Sequence, residues 1–124
     1  MGFLKFGKRS GGATAEADPI RQVTDTTELF DALGEGPAVI YKHSNRCGTA
    51  FRALKEVRNF ASAHPEVPVF MIDVVRDRPV SNHVAQHFDV WHESPQALVI
   101  RDDRLIWDGS HLQVTAGALE RALG

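Results

Sequence analysis

The sequence predicts a single α/β domain in which a mixed central sheet carries helices on both faces. The chain has 124 residues, about the size of one domain, and 43% of them are hydrophobic, which is enough for one core. Segments typical of strands alternate with segments of helical periodicity, and this order favours parallel strands joined by crossover helices. Two strands near the C-terminus are separated by only a short polar link, so we expect an antiparallel hairpin there.

The first elements follow a predicted tail. Residues 1–18 are rich in glycine and small side chains, and we expect a flexible segment because such residues bury little surface. Residues 20–23 are predicted to form a short edge strand. Thr24 is expected to cap the first helix, and Gly34 to end it. The apolar residues that share one face of this helix are Leu29, Phe30 and Leu33.

The middle of the chain predicts two buried strands around a long helix. Residues 38–42 and 67–75 are rich in Val, Ile and aromatic side chains, as expected for strands. The helix between them is predicted to begin at Cys47 and end near residue 63. Pro79 suits the first turn of the next helix. The apolar residues on one face of that helix are Val80, Val84 and Phe88.

The C-terminal part predicts the hairpin and a last helix. Strands over residues 96–100 and 105–108 are joined by a polar link that lacks the glycine favoured in such turns. Thr115 is expected to cap the final helix. The inward-facing residues of that helix are Leu119 and Ala122. The complete order is therefore β-α-β-α-β-α-β-β-α.

Composition excludes several classes of function. Fourteen basic and sixteen acidic residues give a net charge of −2, so no electrostatic partner such as nucleic acid or an anionic membrane is indicated. No apolar run approaches the length of a membrane span, and the N-terminus lacks the apolar core of an export signal. We expect a cytoplasmic protein, in which a single cysteine stays reduced.

Cys47 is the residue with the clearest chemical signal. It stands where a buried strand has ended and a helix begins, and the unpaired N–H groups and dipole of a helix start stabilise a thiolate. Lys42, His43 and Arg46 add basic groups nearby in the sequence. We therefore expect a pKa below the free-thiol value of about 8.5 and a nucleophilic sulfur. The alternative is a buried structural cysteine that behaves as a small hydrophobe.

Four segments resemble one protein family. Residues 38–50, with a strand, a loop and Cys47, resemble the active-site segment of thioredoxins, and residues 90–100 resemble the segment that carries their cis-proline. The similarity is closer to the monothiol bacilliredoxins, the thioredoxin-like proteins of the bacillithiol system. The shared motifs are Lys-His-Ser-x-x-Cys ending at Cys47, Arg-x-x-Ser-Asn starting at Arg78, His-Glu-Ser-Pro-Gln starting at His92, and Ser-His at Ser110 and His111 before Thr115.

The resemblance implies a thioredoxin-like three-layer fold over residues 19–124 and a monothiol thiol–disulfide oxidoreductase. The Cys47 thiolate would attack a mixed disulfide between a client protein and a low-molecular-weight thiol, with bacillithiol as co-substrate and no other cofactor or metal. A second small thiol would then release Cys47, because the chain has no second cysteine. The residues that it implies for substrate binding are Lys42, His43, Ser44, Arg46, Arg78, His92, Ser94, Pro95 and His111.

The same resemblance predicts the geometry at Pro95 and marks one departure. We expect a cis Ser94–Pro95 bond that presents the Ser94 backbone toward Cys47 for an extended substrate. The family has Pro-Ile-Ser after its cysteine, whereas this chain has Gly-Thr-Ala at residues 48–50. Ala50 stands where dithiol relatives have their resolving cysteine and offers neither a thiol nor a hydroxyl.

Two alternative functions stay open at this point. A metal or iron–sulfur carrier of the monothiol glutaredoxin type would also use one cysteine, although its motif is Cys-Gly-Phe-Ser. A thioredoxin-like binding module would need no reactive thiol. His83 and His87 have a spacing that can bind a metal, but a solvated helix face is the simpler interpretation. Asp73 is interpreted as the end of a strand rather than as a buried proton carrier.

Overall fold

The computed structural model describes residues 18–46 and 48–124, so the predicted tail lies almost wholly outside the described residues. The described part forms one five-stranded sheet with four α-helices and one 3₁₀ turn at His111–Gln113. In chain order the elements are β1 (Arg21–Gln22), α1 (Thr26–Leu33), β2 (Pro37–His43), α2 (Gly48–Ala63), β3 (Val69–Asp73), α3 (Arg78–His87), β4 (Gln96–Arg101), β5 (Arg104–Ser110) and α4 (Ala116–Leu123). This order confirms the predicted alternation.

The sheet is mixed, as predicted. Its strand order is β1-β3-β2-β4-β5, in which β1, β3 and β2 run parallel while β4 is antiparallel to both β2 and β5. The parallel pairs are joined by helices because a parallel connection must cross from one end of the sheet to the other. The C-terminal ends of β2 and β3 therefore lie beside the start of β4 at one end of the strands, where the predicted site is expected.

Two buried clusters cover the two faces of the sheet. Side chains alternate along β2, so Tyr41 faces α2 and α4 whereas Ile40 faces α1 and α3. Phe60 and Leu119 anchor the first cluster, and Leu29 belongs to the second. This arrangement of helix, sheet and helix confirms the three predicted layers. None of the described helices is both long and apolar enough to cross a membrane.

The first helix is capped by a different residue from the one predicted. Asp25, and not Thr24, has extended backbone geometry, and its carboxylate accepts the N–H of Glu28 at 2.9 Å. Both residue types suit an N-cap, so composition alone could not choose between neighbours. The caps predicted from Gly34 and Thr115 are confirmed, and Pro79 lies in the first turn of α3.

The hairpin between β4 and β5 is tighter than the predicted four-residue link. Its two turn residues, Asp102 and Asp103, both have positive φ angles, 53° and 63°. A two-residue hairpin of this handedness usually contains glycine, but aspartate also tolerates the left-handed region. Here Asp102 is held by Gly36, whose N–H it accepts at 2.8 Å and whose carbonyl it contacts through its own N–H at 3.2 Å.

Candidate active site

The predicted site residues gather where β2, β3 and β4 meet. His43, the last residue of β2, lies opposite Asp73, the last residue of β3. Lys42 pairs with Gln96 at the start of β4. The register of the sheet therefore brings together residues that are more than fifty positions apart in the sequence.

The first residue of α2 directly follows the predicted nucleophile in the sequence. Cys47 itself lies outside the described residues, and in the sequence it directly precedes Gly48, the first residue of α2. The helix is 16 residues long and has no acidic residue in its first turn. The positive end of its dipole is therefore not offset by a carboxylate of that turn, which is the environment that stabilises a thiolate.

His43 is buried and fastened at both ring nitrogens. Its Nδ1 lies 2.9 Å from the Tyr41 hydroxyl, and its Nε2 lies 2.8 Å from Asn45 Oδ1. The Tyr41 hydroxyl also donates to the carbonyl of Ala50 at 3.0 Å. The edge of the imidazole packs against Phe51, with ring centroids 5.8 Å apart. His43 therefore joins β2 to the first turn of α2.

The loop between β2 and Cys47 is ordered by a side chain. Ser44 is buried, and its hydroxyl accepts the N–H of Arg46 at 3.2 Å. This local bond closes a turn of the kind that serine favours. The Arg46 side chain is exposed, next in sequence to Cys47. Of these two predicted binding residues, Ser44 shapes the loop and Arg46 is open to solvent.

A basic cluster lies beside this loop. Lys42 is completely buried, and its ammonium donates to the Ser81 carbonyl at 3.0 Å and lies 3.4 Å from His92 Nδ1. The Ser81 hydroxyl lies 3.2 Å from the same nitrogen, and Arg78 Nη1 lies 3.4 Å from His92 Nε2. Burial, with a smaller effect from Arg78, lowers the pKa of Lys42 from 10.5 to about 8. Burial and then the charge of Lys42 also lower the pKa of His92.

The segment before β4 confirms the predicted proline geometry. The Ser94–Pro95 bond is cis. The carbonyl of Pro95 accepts the N–H of His111 at 3.0 Å, and His111 Nε2 lies 3.4 Å from a carboxylate oxygen of Glu93. The Ser94 hydroxyl oxygen is buried and has no hydrogen-bond partner among the described residues. Whether Ser94 faces Cys47 remains a prediction, because Cys47 is outside those residues.

Buried Gln96 holds this segment in place. Its amide nitrogen donates to the carbonyl of Trp91 at 2.9 Å, and its amide oxygen accepts the N–H of Glu93 at 3.3 Å. One side chain thereby satisfies two backbone groups in the loop that leads to the cis-proline. A buried amide with both ends bonded fixes the backbone around it.

Comparisons with known proteins identify the family. A family model described as monothiol bacilliredoxin BrxC matches residues 18–119. This chain belongs to the monothiol bacilliredoxin family. Membership in that family, together with the fold, supports a thiol redox function. The predicted resemblance is thereby confirmed over nearly the whole described domain.

Solved structures show the same fold. A structure described as having a thioredoxin fold is 20% identical, with a TM-score of 0.80 over 85% of this chain and 94% of that chain. Thioredoxin from Trypanosoma brucei brucei is 14% identical, with a TM-score of 0.71 over 93% and 94% of the two chains. Mitochondrial thioredoxin 3 from Saccharomyces cerevisiae, in its oxidized form, is 19% identical, with a TM-score of 0.67 over 84% and 92%. The bacilliredoxin chain is thus thioredoxin-like in fold.

The remaining candidates lie apart from the bacilliredoxin site or have structural roles. The rings of His83 and His87 pack against Phe30, and His87 also contacts Asp103 at 2.9 Å. Within residues 18–46 and 48–124, no three His, Cys, Asp or Glu side chains converge in a way that could hold a metal. Asp73 accepts two N–H groups of the turn after β3, and these bonds lower its pKa, in agreement with the strand-end interpretation.

Sequence reasoning missed three residues that organise the bacilliredoxin site. The strand pattern predicts Tyr41 only as a buried strand residue, and the family motifs contain Ser81 and Gln96 without assigning either a role. The available signal was polarity: each has a polar side chain beside an apolar neighbour, Ile40, Val80 or Ala97, and the fold buries it. Such groups need partners, and the partners became visible only when distant segments were brought together.

Proposed function

We propose that this bacilliredoxin is a monothiol oxidoreductase that removes bacillithiol from mixed disulfides on client proteins in the cytoplasm. The observation that carries the proposal is the place of the chain's only cysteine, directly before the first residue of α2 in a thioredoxin-like fold. A lone cysteine cannot form an internal disulfide, so the chemistry must pass through a mixed disulfide with a second molecule.

The reaction balances in two exchanges. The Cys47 thiolate attacks the small-thiol sulfur of the client mixed disulfide, and a new sulfur–sulfur bond forms as the old one breaks. The client leaves as a thiolate that takes a proton from water, and the small thiol stays on Cys47. A second small thiol, as its thiolate, attacks the small-thiol sulfur of this adduct. It leaves with the first as a symmetric disulfide, and Cys47 returns to its thiolate form.

The substrate would be held by the residues around the C-terminal ends of β2 and β3 and the start of β4. The backbone at Ser94 and Pro95, directly before β4, can pair with an extended client peptide. Exposed His111 is joined to this segment because its N–H donates to the Pro95 carbonyl, and exposed Arg46 directly precedes Cys47 in the sequence. Lys42, His43 and Ser44 are buried. His43 and Ser44 would hold the loop after β2 in place, and Lys42 would add a positive charge beneath the site. Arg78 and His92 form the basic side of the site.

Intact mass spectrometry tests the proposal. A model protein carrying bacillithiol on one cysteine is incubated with wild type and with Cys47→Ser, and both proteins are weighed over time. We expect wild type to gain the mass of one bacillithiol as the client loses it, and Cys47→Ser to gain nothing. Arg104→Gln, at an exposed position of β5, serves as a control and should behave as wild type.

The same preparations distinguish the alternatives. Repeated reduction of the client by wild type without an adduct and without added thiol would refute the monothiol mechanism. An iron–sulfur carrier would show visible absorbance after anaerobic reconstitution that Cys47→Ser loses. A binding module would leave Cys47 unmodified by the thiolated client.

A further inference from the structure

Three basic side chains from separate elements meet beside the candidate site. Lys42 comes from β2, Arg78 is the first residue of α3, and His92 lies in the loop before the cis-proline. His92 stands between the other two, with Lys42 Nζ 3.4 Å from one ring nitrogen and Arg78 Nη1 3.4 Å from the other. Lys42 is buried, His92 is half-buried and Arg78 is exposed, so the cluster leads from the interior to the surface.

No carboxylate neutralises this cluster within the described part of the chain. Neither Lys42 nor Arg78 forms an ion pair with any of the described residues, although other surface basic residues do. Among the groups that shift the pKa of His92, the acidic one is Glu93; its effect is the smallest, and its carboxylate lies 3.4 Å from His111. Like charges at such short distances repel, so an anion placed among them would be stabilised.

The cluster also lacks hydrogen-bond acceptors among the described residues. Lysine and arginine only donate, and a neutral imidazole has one lone pair and one N–H. When His92 Nδ1 accepts from Lys42 or Ser81, its Nε2 carries the proton and points at Arg78, which is also a donor. Two N–H groups then lie side by side with no acceptor between them among the described residues. The oxygens of one oxyanion could accept from both.

We propose that Arg78 and His92, backed by the buried ammonium of Lys42, bind a carboxylate of the small thiol that Cys47 exchanges. The inference rests on the proposed function, because it makes this cluster the binding site for the small-thiol half of the mixed disulfide. A cysteine-derived thiol carries carboxylates rather than phosphates, and the planar fork of arginine matches a carboxylate. The two residues between His92 and Pro95 link the cluster to the cis-proline segment.

An anion in this site would change how the cluster titrates. It favours the protonated forms of Lys42 and His92, so binding should raise the pKa of both groups. The affinity for the anion should fall as pH rises above about 8, because Lys42 loses its proton there in the protein without a bound anion. The other charged groups that face the cluster are Arg78, which lies 3.4 Å from His92, and Glu93.

Direct binding tests the site without any thiol chemistry. The side-chain signals of His92 are followed by NMR in the full chain while succinate is added, with succinamide as the uncharged equivalent. We expect succinate to shift the side-chain signals of His92 and succinamide to leave them unchanged. Arg78→Gln should weaken succinate binding at least about tenfold, as expected for a charge-assisted bond, while Arg104→Gln should stay within about twofold of wild type. No shift with succinate, or no effect of Arg78→Gln, would overturn the proposal.

Inorganic phosphate forms a second arm of the same titration. Weaker binding of phosphate than of succinate supports a carboxylate site. Binding of phosphate that equals or exceeds that of succinate would overturn the assignment to a carboxylate.

Exchange kinetics then connect the site to the reaction. Model proteins carrying mercaptosuccinate or 2-mercaptoethanol are compared as substrates, since only the first adduct has carboxylates. We expect Arg78→Gln to raise KM at least about tenfold more for the first adduct than for the second. An equal effect on both adducts would overturn the carboxylate assignment and leave the proposed function standing. Inactivity of wild type on both adducts would overturn the proposed function, while succinate binding could still be measured.

Discussion

The hydroxyl of Tyr41 donates a hydrogen bond to the carbonyl of Ala50 across 3.0 Å, and this bond joins the end of β2 to the first turn of α2. Both residues are completely buried. The loop that carries Cys47 in the sequence is therefore anchored on both sides by one buried contact. His43, 2.9 Å from the same hydroxyl, extends this anchor to the last residue of β2.

Removal of this hydroxyl should lower stability. In Tyr41→Phe the carbonyl of Ala50 and Nδ1 of His43 lose a buried partner, and we expect the free energy of unfolding to fall by about 1–3 kcal/mol. Urea denaturation monitored by Trp fluorescence measures the change. Thr24→Val removes a hydroxyl from an exposed residue that does not cap α1 and should stay within about 0.5 kcal/mol of wild type. Equal losses in the two variants would show that the Tyr41 contact has no special weight.

Buried Lys42 should make stability depend on alkaline pH. Its folded-state pKa of about 8 lies below the ordinary value of 10.5, so between these values the unfolded chain binds more protons than the native protein. Stability therefore rises with pH across this window, because the cost of burying the charge disappears as Lys42 becomes neutral. The upper limit is about 3 kcal/mol. We expect the unfolding free energy of wild type minus that of Lys42→Met to increase from pH 8 to 10.5; a flat difference contradicts the lowered pKa.

The pKa values of two histidines should be shifted in opposite directions from the ordinary value of 6.5. Hydrogen bonding to Glu120 at 2.9 Å is the main reason that the pKa of His64 is raised, whereas burial lowers that of His92. NMR titration should therefore give a higher midpoint for His64 than for His92. Glu120→Gln should move the His64 midpoint down and leave His92 unchanged, while Glu35→Gln, in the loop before β2, should change neither.

The His64 contact also predicts a dependence of stability on pH. Since its folded pKa is raised, the contribution is fully present below the ordinary value of 6.5 and is lost as pH rises through the folded value. The difference in unfolding free energy between wild type and Glu120→Gln should thus shrink above pH 6.5. A difference that grows with pH would show that the ion pair between His64 and Glu120 does not stabilise the fold.

A resolving cysteine placed at position 50 should change the fate of the adduct. Ala50 lies in the first turn of α2, three residues after Cys47 in the sequence, so Ala50→Cys offers an internal thiol. We expect the small-thiol adduct to disappear at least about tenfold faster than in wild type, since the attack becomes intramolecular. Ala50→Ser has nearly the same volume without the thiol and should keep the long-lived adduct. Quenching the reactions at successive times and measuring the mass of each variant gives the lifetime of the adduct in Ala50→Cys and in Ala50→Ser.

The positions of the elements followed from local patterns. The periodicity of apolar residues, the caps at Gly34 and Thr115 and the short link before β5 predicted the five strands and four α-helices of the described residues in order, but not the 3₁₀ turn at His111–Gln113. Among these nine elements the errors lie in boundaries and in one cap, because Thr24 and Asp25 are adjacent and both suit an N-cap. The motifs around residues 42–47, 78–82 and 92–96 identified the family because each preserves both residue type and spacing.

The sequence by itself determined the order of the elements, the three layers and a single cysteine directly before a helix, since these depend on local periodicity and composition. Only the tertiary structure decided that Lys42, Arg78 and His92 form one cluster and that Gln96 fastens the loop before Pro95. The physical reason is that a buried polar or charged group is defined by its partners. Those partners are brought into contact by the antiparallel register of β2 and β4 and by the packing of α3, which no local pattern of residues encodes.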